Sequence, residues 1–170
     1  MKESKNEHFQ AWRTPKGLFE AIQADYGEFD LDAFADDKNH LCRGYFTEKH
    51  SAFNHDWYGN VWANPPYKAG FMAKVVDKAI EEVLNKRCQQ VVVLCQASLD
   101  TIWFHKALEH AKVELFKGRI QFEREEKAKQ KDNSRIANAL LVFNDDKQKG
   151  LLGTRCAKTG KRLKPLTLFL

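Results

Sequence analysis

One hundred and seventy residues, with 43% hydrophobic, 30% charged and 12% aromatic side chains, suffice for one domain with a real core and exclude the disordered, collagen-like and disulfide-scaffold classes. The formal charge of +5 is unevenly placed: residues 147–170 hold Lys147, Lys149, Arg155, Lys158, Lys161, Arg162 and Lys164 and no acid, which leaves 21 basic and 23 acidic side chains in residues 1–146. The longest apolar runs, such as Val91 to Cys95 and Ala139 to Phe143, fall far short of the ~20 residues that cross a bilayer, and the first ten residues are too polar for a signal peptide, so a cytoplasmic protein is expected.

In chain order, Thr14-Pro15 reads as a helix start, with Thr14 as N-cap and Pro15 at the first helical position. Leu18, Phe19 and Ile22 come next at helical spacing, and Gly27 stops the helix near Tyr26. Phe29 to Ala35 reads as a short strand holding Asp30 and Asp32, and Tyr45 to Thr47 as a weaker one. Val61 to Ala63 forms a strand that must end at Asn64-Pro65-Pro66, because neither proline can donate to a ladder. From Gly70 to about Arg87 the apolar residues keep a three-to-four spacing, which predicts an amphipathic helix. Gln90 to Gln96 is a buried strand, Leu99 to Ala111 a helix, and Lys112 to Phe122 and Ile136 to Asn144 are two late strands. The alternation predicts an α/β fold with a mixed sheet whose last two strands pair as an antiparallel hairpin. Residues 1–146 carry the domain body, and 147–170 form a basic C-terminal segment of the same domain.

Cys42, Cys88, Cys95 and Cys156 contain no C-x-x-C pair, so free thiols are expected. His40, Cys42, His50 and His55 match no common zinc spacing, and no metal is expected. The stretch Glu123 to Arg135 carries five basic and four acidic residues and reads as a functional loop or a solvated turn. The basic segment suits contact with a polyanion, through counterion release, and equally suits a solubilising tail; its end, Leu163 to Leu170, could dock as an edge strand.

Chemistry is expected beyond the carboxyl ends of the strands. Two stretches qualify, Leu31 to Asp37 and Asn64 to Tyr67. In Asn64-Pro65-Pro66-Tyr67 the prolines fix the backbone, so that the Asn64 amide and the Pro65 carbonyl become rigid acceptors beside an aromatic plane. Such a group recognises a flat amine. An exocyclic amine on a nucleobase is a poor nucleophile, and two acceptors aimed at its N–H bonds favour a more tetrahedral nitrogen. Tyr67 would stack on the base, worth roughly 1 to 3 kcal/mol, against the few kcal/mol of unstacking a flipped base. A strand-ending turn with Tyr67 packed on the next helix is the alternative for the tetrapeptide alone.

The sequence resembles phage-type DNA N6-adenine methyltransferases of the Dam group. The likeness runs through Trp12-Arg13-Thr14-Pro15, Phe29-Asp30-Leu31-Asp32-Ala33-Phe34-Ala35, Asn39, Cys42, Tyr45-Phe46-Thr47, Trp57, Asn64-Pro65-Pro66-Tyr67, Gly118-Arg119-Ile120, Phe122 and Leu140-Leu141-Val142-Phe143. It implies a Rossmann-like, S-adenosylmethionine-dependent methyltransferase fold and methyl transfer to adenine N6 in double-stranded DNA. By that likeness Asn64, Pro65 and Tyr67 form the amine pocket, with Pro66 holding its shape. Asp32 and Phe34 would lie in the cofactor site, with Trp12, Thr14 and Pro15 covering the same end, and Asp56 would meet the cofactor's adenine. Glu48 is a ribose ligand or a surface residue. Ala33 to Asp37 contains no glycine, unlike the glycine-rich turn of methyltransferases at large, although the resembled family also tends to lack one.

DNA contact is expected from Arg119, from Lys127, Lys129, Lys131 and Arg135 in the loop, and from the basic tail. Two other readings remain at this point: transfer to another planar amine such as a protein glutamine, and a DNA-binding protein that keeps the fold without turnover.

Overall fold

The computed structural model describes residues 12–123 and 136–163 together with the backbone of Asp132–Asn133. Its elements in chain order are α1 (Lys16–Tyr26), β1 (Leu31–Asp32), β2 (Gly44–Tyr45), a 3₁₀ turn (Ala52–Asn54), β3 (Gly59–Ala63), α2 (Phe71–Leu84), β4 (Cys88–Gln96), α3 (Ile102–His110), β5 (Lys112–Lys117), β6 (Gln121–Phe122), β7 (Asp132–Asn133), β8 (Asn138–Asn144) and β9 (Gly150–Cys156). Seven strands form a sheet in the order β2-β1-β3-β4-β8-β5-β9. Only β8 runs against its neighbours, so the fold is the expected mixed α/β sheet of the Rossmann-like kind, and most of its strands are parallel.

The Val-rich run of β4 explains the two-sided core. Successive side chains point to opposite faces, and here both faces are covered. Val91, Val93 and Cys95 pack with the buried faces of α2 and α3, including Val75, Val76, Ala79, Phe104 and Ala107. Val92 and Leu94 pack on the other side with Leu18, Phe19 and Ile22 of α1 and with Trp62 of β3. Among the described residues no helix is long and apolar enough to cross a membrane.

Several boundaries differ from expectation, each for a local reason. The first strand keeps only Leu31–Asp32 of the expected 29–35, because the Phe34 N–H turns back to Asp32 Oδ1 at 3.4 Å and leaves the ladder. The expected strand 112–122 divides into β5 and β6 at Gly118, whose φ of 94° suits glycine. The hairpin is realised in part: β5 and β8 pair antiparallel from Lys112↔Val142 to Leu115↔Ala139, but their connection carries the short β6–β7 ladder, and β8 also pairs with β4. At the start of α1 the N-cap is Pro15, with no side-chain cap bond; the Thr14 hydroxyl is engaged elsewhere.

Strand β9 has no counterpart among the expected strands. It adds to β5 as the sheet's parallel edge, with Arg155 pointing inward and fully buried. Arg155 pairs with Glu114 and, at 2.8 Å, with Asp25, while Arg162 reaches Glu114 at 2.7 Å. Burying such charges is tolerable only with partners of this kind. Residues 150–163 of the basic segment are thus built onto the sheet, whereas the possible strand at 163–170 lies outside the described residues beyond Leu163. His40 stacks on Tyr45 and His55 on Phe46, and Cys42, Cys88 and Cys95 are buried thiols.

Candidate functional site

Strands β1, β2 and β3 are parallel, so their carboxyl ends open on one edge of the sheet, the position that serves ligands in such folds. A cavity of about 390 Å³ lies there. The residues after β1 (Ala33, Phe34, Ala35, Asp36), after β2 (Thr47, Glu48) and after β3 (Asn64, Pro65, Pro66, Tyr67) line it together with Trp12, Thr14 and Asp32. Two stretches far apart in sequence thus face one space.

The geometry of Asn64 is set from the N-terminal side. Its Nδ2 donates to Thr14 Oγ1 at 3.0 Å and to the Trp12 carbonyl at 3.3 Å. Both N–H bonds are therefore used inside the protein, and the remaining group of the amide, Oδ1, is an acceptor. After Asn64 the two prolines carry the chain off the ladder, and the Pro66 carbonyl closes a turn by accepting from Lys68 N–H at 2.9 Å. Tyr67 meets Trp12 edge to face at 6.0 Å, and its hydroxyl accepts from Asn138 Nδ2 at 3.4 Å. Burial pushes that hydroxyl well above the ordinary tyrosine value, with Cys95 adding to the effect and the Asn138 bond opposing it. It stays neutral at any physiological pH.

Asp32 supplies a charge from the adjacent strand β1, where it pairs in register with Trp62, two residues before Asn64. Burial raises its carboxyl to about 6, although Leu41 N–H and Phe34 N–H donate to it and nearby His40 favours the ionised form. A carboxylate only 4% exposed and held by two backbone donors is costly unless a cation comes to it. Beyond it the cavity is aromatic: Phe34, Phe53 and Phe71 meet pairwise at 5.3 to 5.7 Å. Glu48 sits on the rim, its carboxylate 3.4 Å from Lys68 Nζ. A buried carboxylate, a cluster of three aromatic rings and hydroxyl-bearing Thr47 and Ser51 share one lining, a set of groups able to hold a nucleoside that carries an amino-acid group.

Eight residues expected in the site line this cavity: Trp12, Thr14, Asp32, Phe34, Asn64, Pro65, Pro66 and Tyr67. Two others do not. Pro15 faces α1, its carbonyl accepting from Leu18 and Phe19 N–H. Asp56 is exposed and paired with Arg87 at 3.4 Å; because it precedes β3, it belongs to the amino ends of the strands, opposite the cavity. Phe53 and Phe71 line the cavity without having been expected there. In the sequence Phe71 reads as part of the apolar face of the helix after Gly70, and nothing in the local pattern marks Phe53.

Arg119 is exposed just beyond the carboxyl end of β5. Since β5 and β4 both run against β8, that end lies on the same sheet edge as the cavity. Lys127, Lys129, Lys131 and Arg135 lie outside the described residues. Of the basic tail, Lys147, Lys158 and Lys161 are exposed, Lys149 donates to the Asn144 carbonyl, and Arg155 and Arg162 serve the ion cluster on Glu114.

The chain is 32% identical over 102 residues to "DNA N-6-adenine-methyltransferase" of Escherichia phage T1, covering 59% of this chain and 41% of the relative. It is 40% identical over 63 residues to "Putative methyltransferase YfdM" of Escherichia coli K12, covering 33% of this chain and 69% of the relative. The chain thus spans about two fifths of the phage relative's length. A family model described as DNA N-6-adenine-methyltransferase (Dam) matches residues 2–162, and with nearly the whole chain covered, this protein belongs to that family.

Proposed function

We propose that the protein transfers a methyl group from S-adenosylmethionine to the N6 amine of adenine in double-stranded DNA, with the target base turned out of the duplex into the cavity. The observation that carries this reading is the Asn64 amide: its two N–H bonds are committed to Trp12 and Thr14, which leaves an oriented acceptor at the end of β3 beside a buried carboxylate. The cofactor, when bound, supplies an electrophilic methyl group on a sulfonium sulfur.

The chain's own residues supply position. Asp32 would receive the ammonium of the cofactor's amino-acid part, with Trp12 closing that same end, and Phe34, Phe53 and Phe71 would hold its adenine. Asn64 Oδ1 and the Pro65 carbonyl would accept the two N–H bonds of the target N6. Drawing hydrogen-bond acceptors to those bonds favours the pyramidal nitrogen whose lone pair can attack carbon, and fixing its direction removes most of the entropic barrier. Tyr67, neutral and half-buried, would lie against the face of the turned-out base, offsetting part of its lost stacking. Arg119 would grip phosphate from the same sheet edge, with Lys127, Lys129, Lys131 and Arg135 of the adjoining connection.

The direct test is incubation of duplex DNA with the protein and methyl-labelled cofactor, then nucleoside analysis. The reading expects label in N6-methyldeoxyadenosine. Label in protein, or none in nucleosides with the cofactor nevertheless bound, would favour another amine or a binding role and overturn it.

A further inference from the structure

We infer that Thr14 is a positioning residue for the transfer, one that acts by holding the side-chain amide of Asn64; the inference rests on the function proposed above. A carboxamide is nearly symmetric in shape, and a turn about its last bond exchanges an acceptor for a donor. An Asn64 turned that way would present N–H bonds to an amine that also carries N–H bonds, and recognition would fail. What prevents this is the partner on the other side. The Trp12 carbonyl, 3.3 Å from Nδ2, can only accept, so nitrogen must face it. Thr14 Oγ1, at 3.0 Å, takes the second hydrogen and completes the lock.

The lock is stiff because the segment that carries it is tied down. Arg13 exchanges two backbone bonds with Glu123, at 2.9 and 3.1 Å, and Trp12 stacks on Phe122 at 5.1 Å with an interplanar angle of 19°. Thr14 itself is 6% exposed. Its hydroxyl is not spent on α1, which has Pro15 as N-cap and no side-chain cap bond. Preorganised acceptors of this kind cost no rearrangement at the moment of reaction. The same segment links Asn64 to Glu123 through the paired backbone of Arg13.

The test compares the full chain with Thr14→Val, which keeps the shape and removes the acceptor, and with Thr14→Ser, which keeps the hydroxyl. Three readouts are taken: kcat for methyl transfer to DNA, the Kd of S-adenosylhomocysteine by calorimetry, and the Asn64 side-chain amide signals in 15N-asparagine-labelled protein, assigned by their loss in Asn64→Asp. Losing one of two bonds to the amide should lower kcat about tenfold or more in Thr14→Val. The Kd should stay within about twofold, and the Asn64 amide protons should shift and exchange faster with solvent. Thr14→Ser should recover most of kcat and return the signals toward their original positions. A Thr14→Val protein with weakened S-adenosylhomocysteine binding and unchanged kcat at saturation would make Thr14 a cofactor contact, and unmoved Asn64 signals would show that it holds nothing; either overturns the inference. If the unaltered protein transfers no methyl to DNA, the proposed function fails, while the amide signals decide separately whether Thr14 holds Asn64.

Discussion

Asp32 should make cofactor affinity depend on pH in a range where few carboxylates titrate. Burial raises its carboxyl to about 6 from an ordinary 3.8. Ammonium binding needs the ionised form, so the fraction ready to bind is nearly complete at pH 7.5 and falls to about a tenth at pH 5. Affinity for S-adenosylhomocysteine, which bears the same amino-acid group, should therefore weaken about tenfold between those values, close to 1.4 kcal/mol. Binding near pH 6 should release about half a proton, visible as a buffer-dependent calorimetric enthalpy. The effect on stability has the opposite sense. A carboxyl whose folded value lies above its unfolded one opposes folding when ionised; at pH 7 that opposition is about 3 kcal/mol, and it disappears as pH falls from 6 to below 4. Asp32→Asn should weaken ligand binding, flatten its pH dependence and raise the Tm of the ligand-free protein at pH 7. The gain should fall short of the full figure, because Phe34 N–H and Leu41 N–H donate to different carboxylate oxygens, and in Asn one of those acceptors becomes an NH2 donor facing an N–H. His40 and Asp36 are the charged neighbours that act on Asp32, and the Asn variant separates their effect from its own. An unchanged Kd from pH 7.5 to 5, or a full slope surviving in Asp32→Asn, would refute the reasoning.

Asn64→Ala should reduce methyl transfer at least a hundredfold, as expected for removing an acceptor that works in the transition state, while calorimetry finds S-adenosylhomocysteine bound within about threefold of the parent; retained turnover would remove Asn64 from the chemistry. Tyr67→Phe keeps the ring and loses only the Asn138 bond, so kcat should stay within about fivefold, whereas Tyr67→Ala should lose about ten- to a hundredfold with the stack. Equal losses would make the hydroxyl the working part, and a fluorescent adenine analogue at the target site should brighten with the parent and less with Ala. Arg119→Ala should weaken DNA binding to all sequences alike and reduce the slope of log affinity against log salt by about 0.9, one phosphate's worth, measured by anisotropy titration; an unaltered slope would leave Arg119 as solvated surface.

The strand–helix alternation, the amphipathic stretch after Gly70 and the Val-rich run before Gln96 are legible because burial leaves a period in the sequence, 3.6 for a one-sided helix and none for a strand covered on both faces. Asn64 to Tyr67 is legible for a different reason: two prolines must end a strand wherever they fall, and residues just past the carboxyl end of a parallel strand face ligands. Strand β9 leaves no such trace, because its buried positions include Gly153 and Arg155, and an arginine reads as surface until Glu114 and Asp25 are found waiting for it. Asp56 shows the converse: it is close in sequence to β3 but precedes the strand, so the fold sets it apart from the cavity. The placement of Thr14, Phe53 and Phe71 in the cavity lining is likewise decided by the tertiary structure. Local sequence specifies what a residue can do with its immediate neighbours, but a hydroxyl that would cap a helix is redirected once folding brings Asn64, fifty residues away, within 3.0 Å of it.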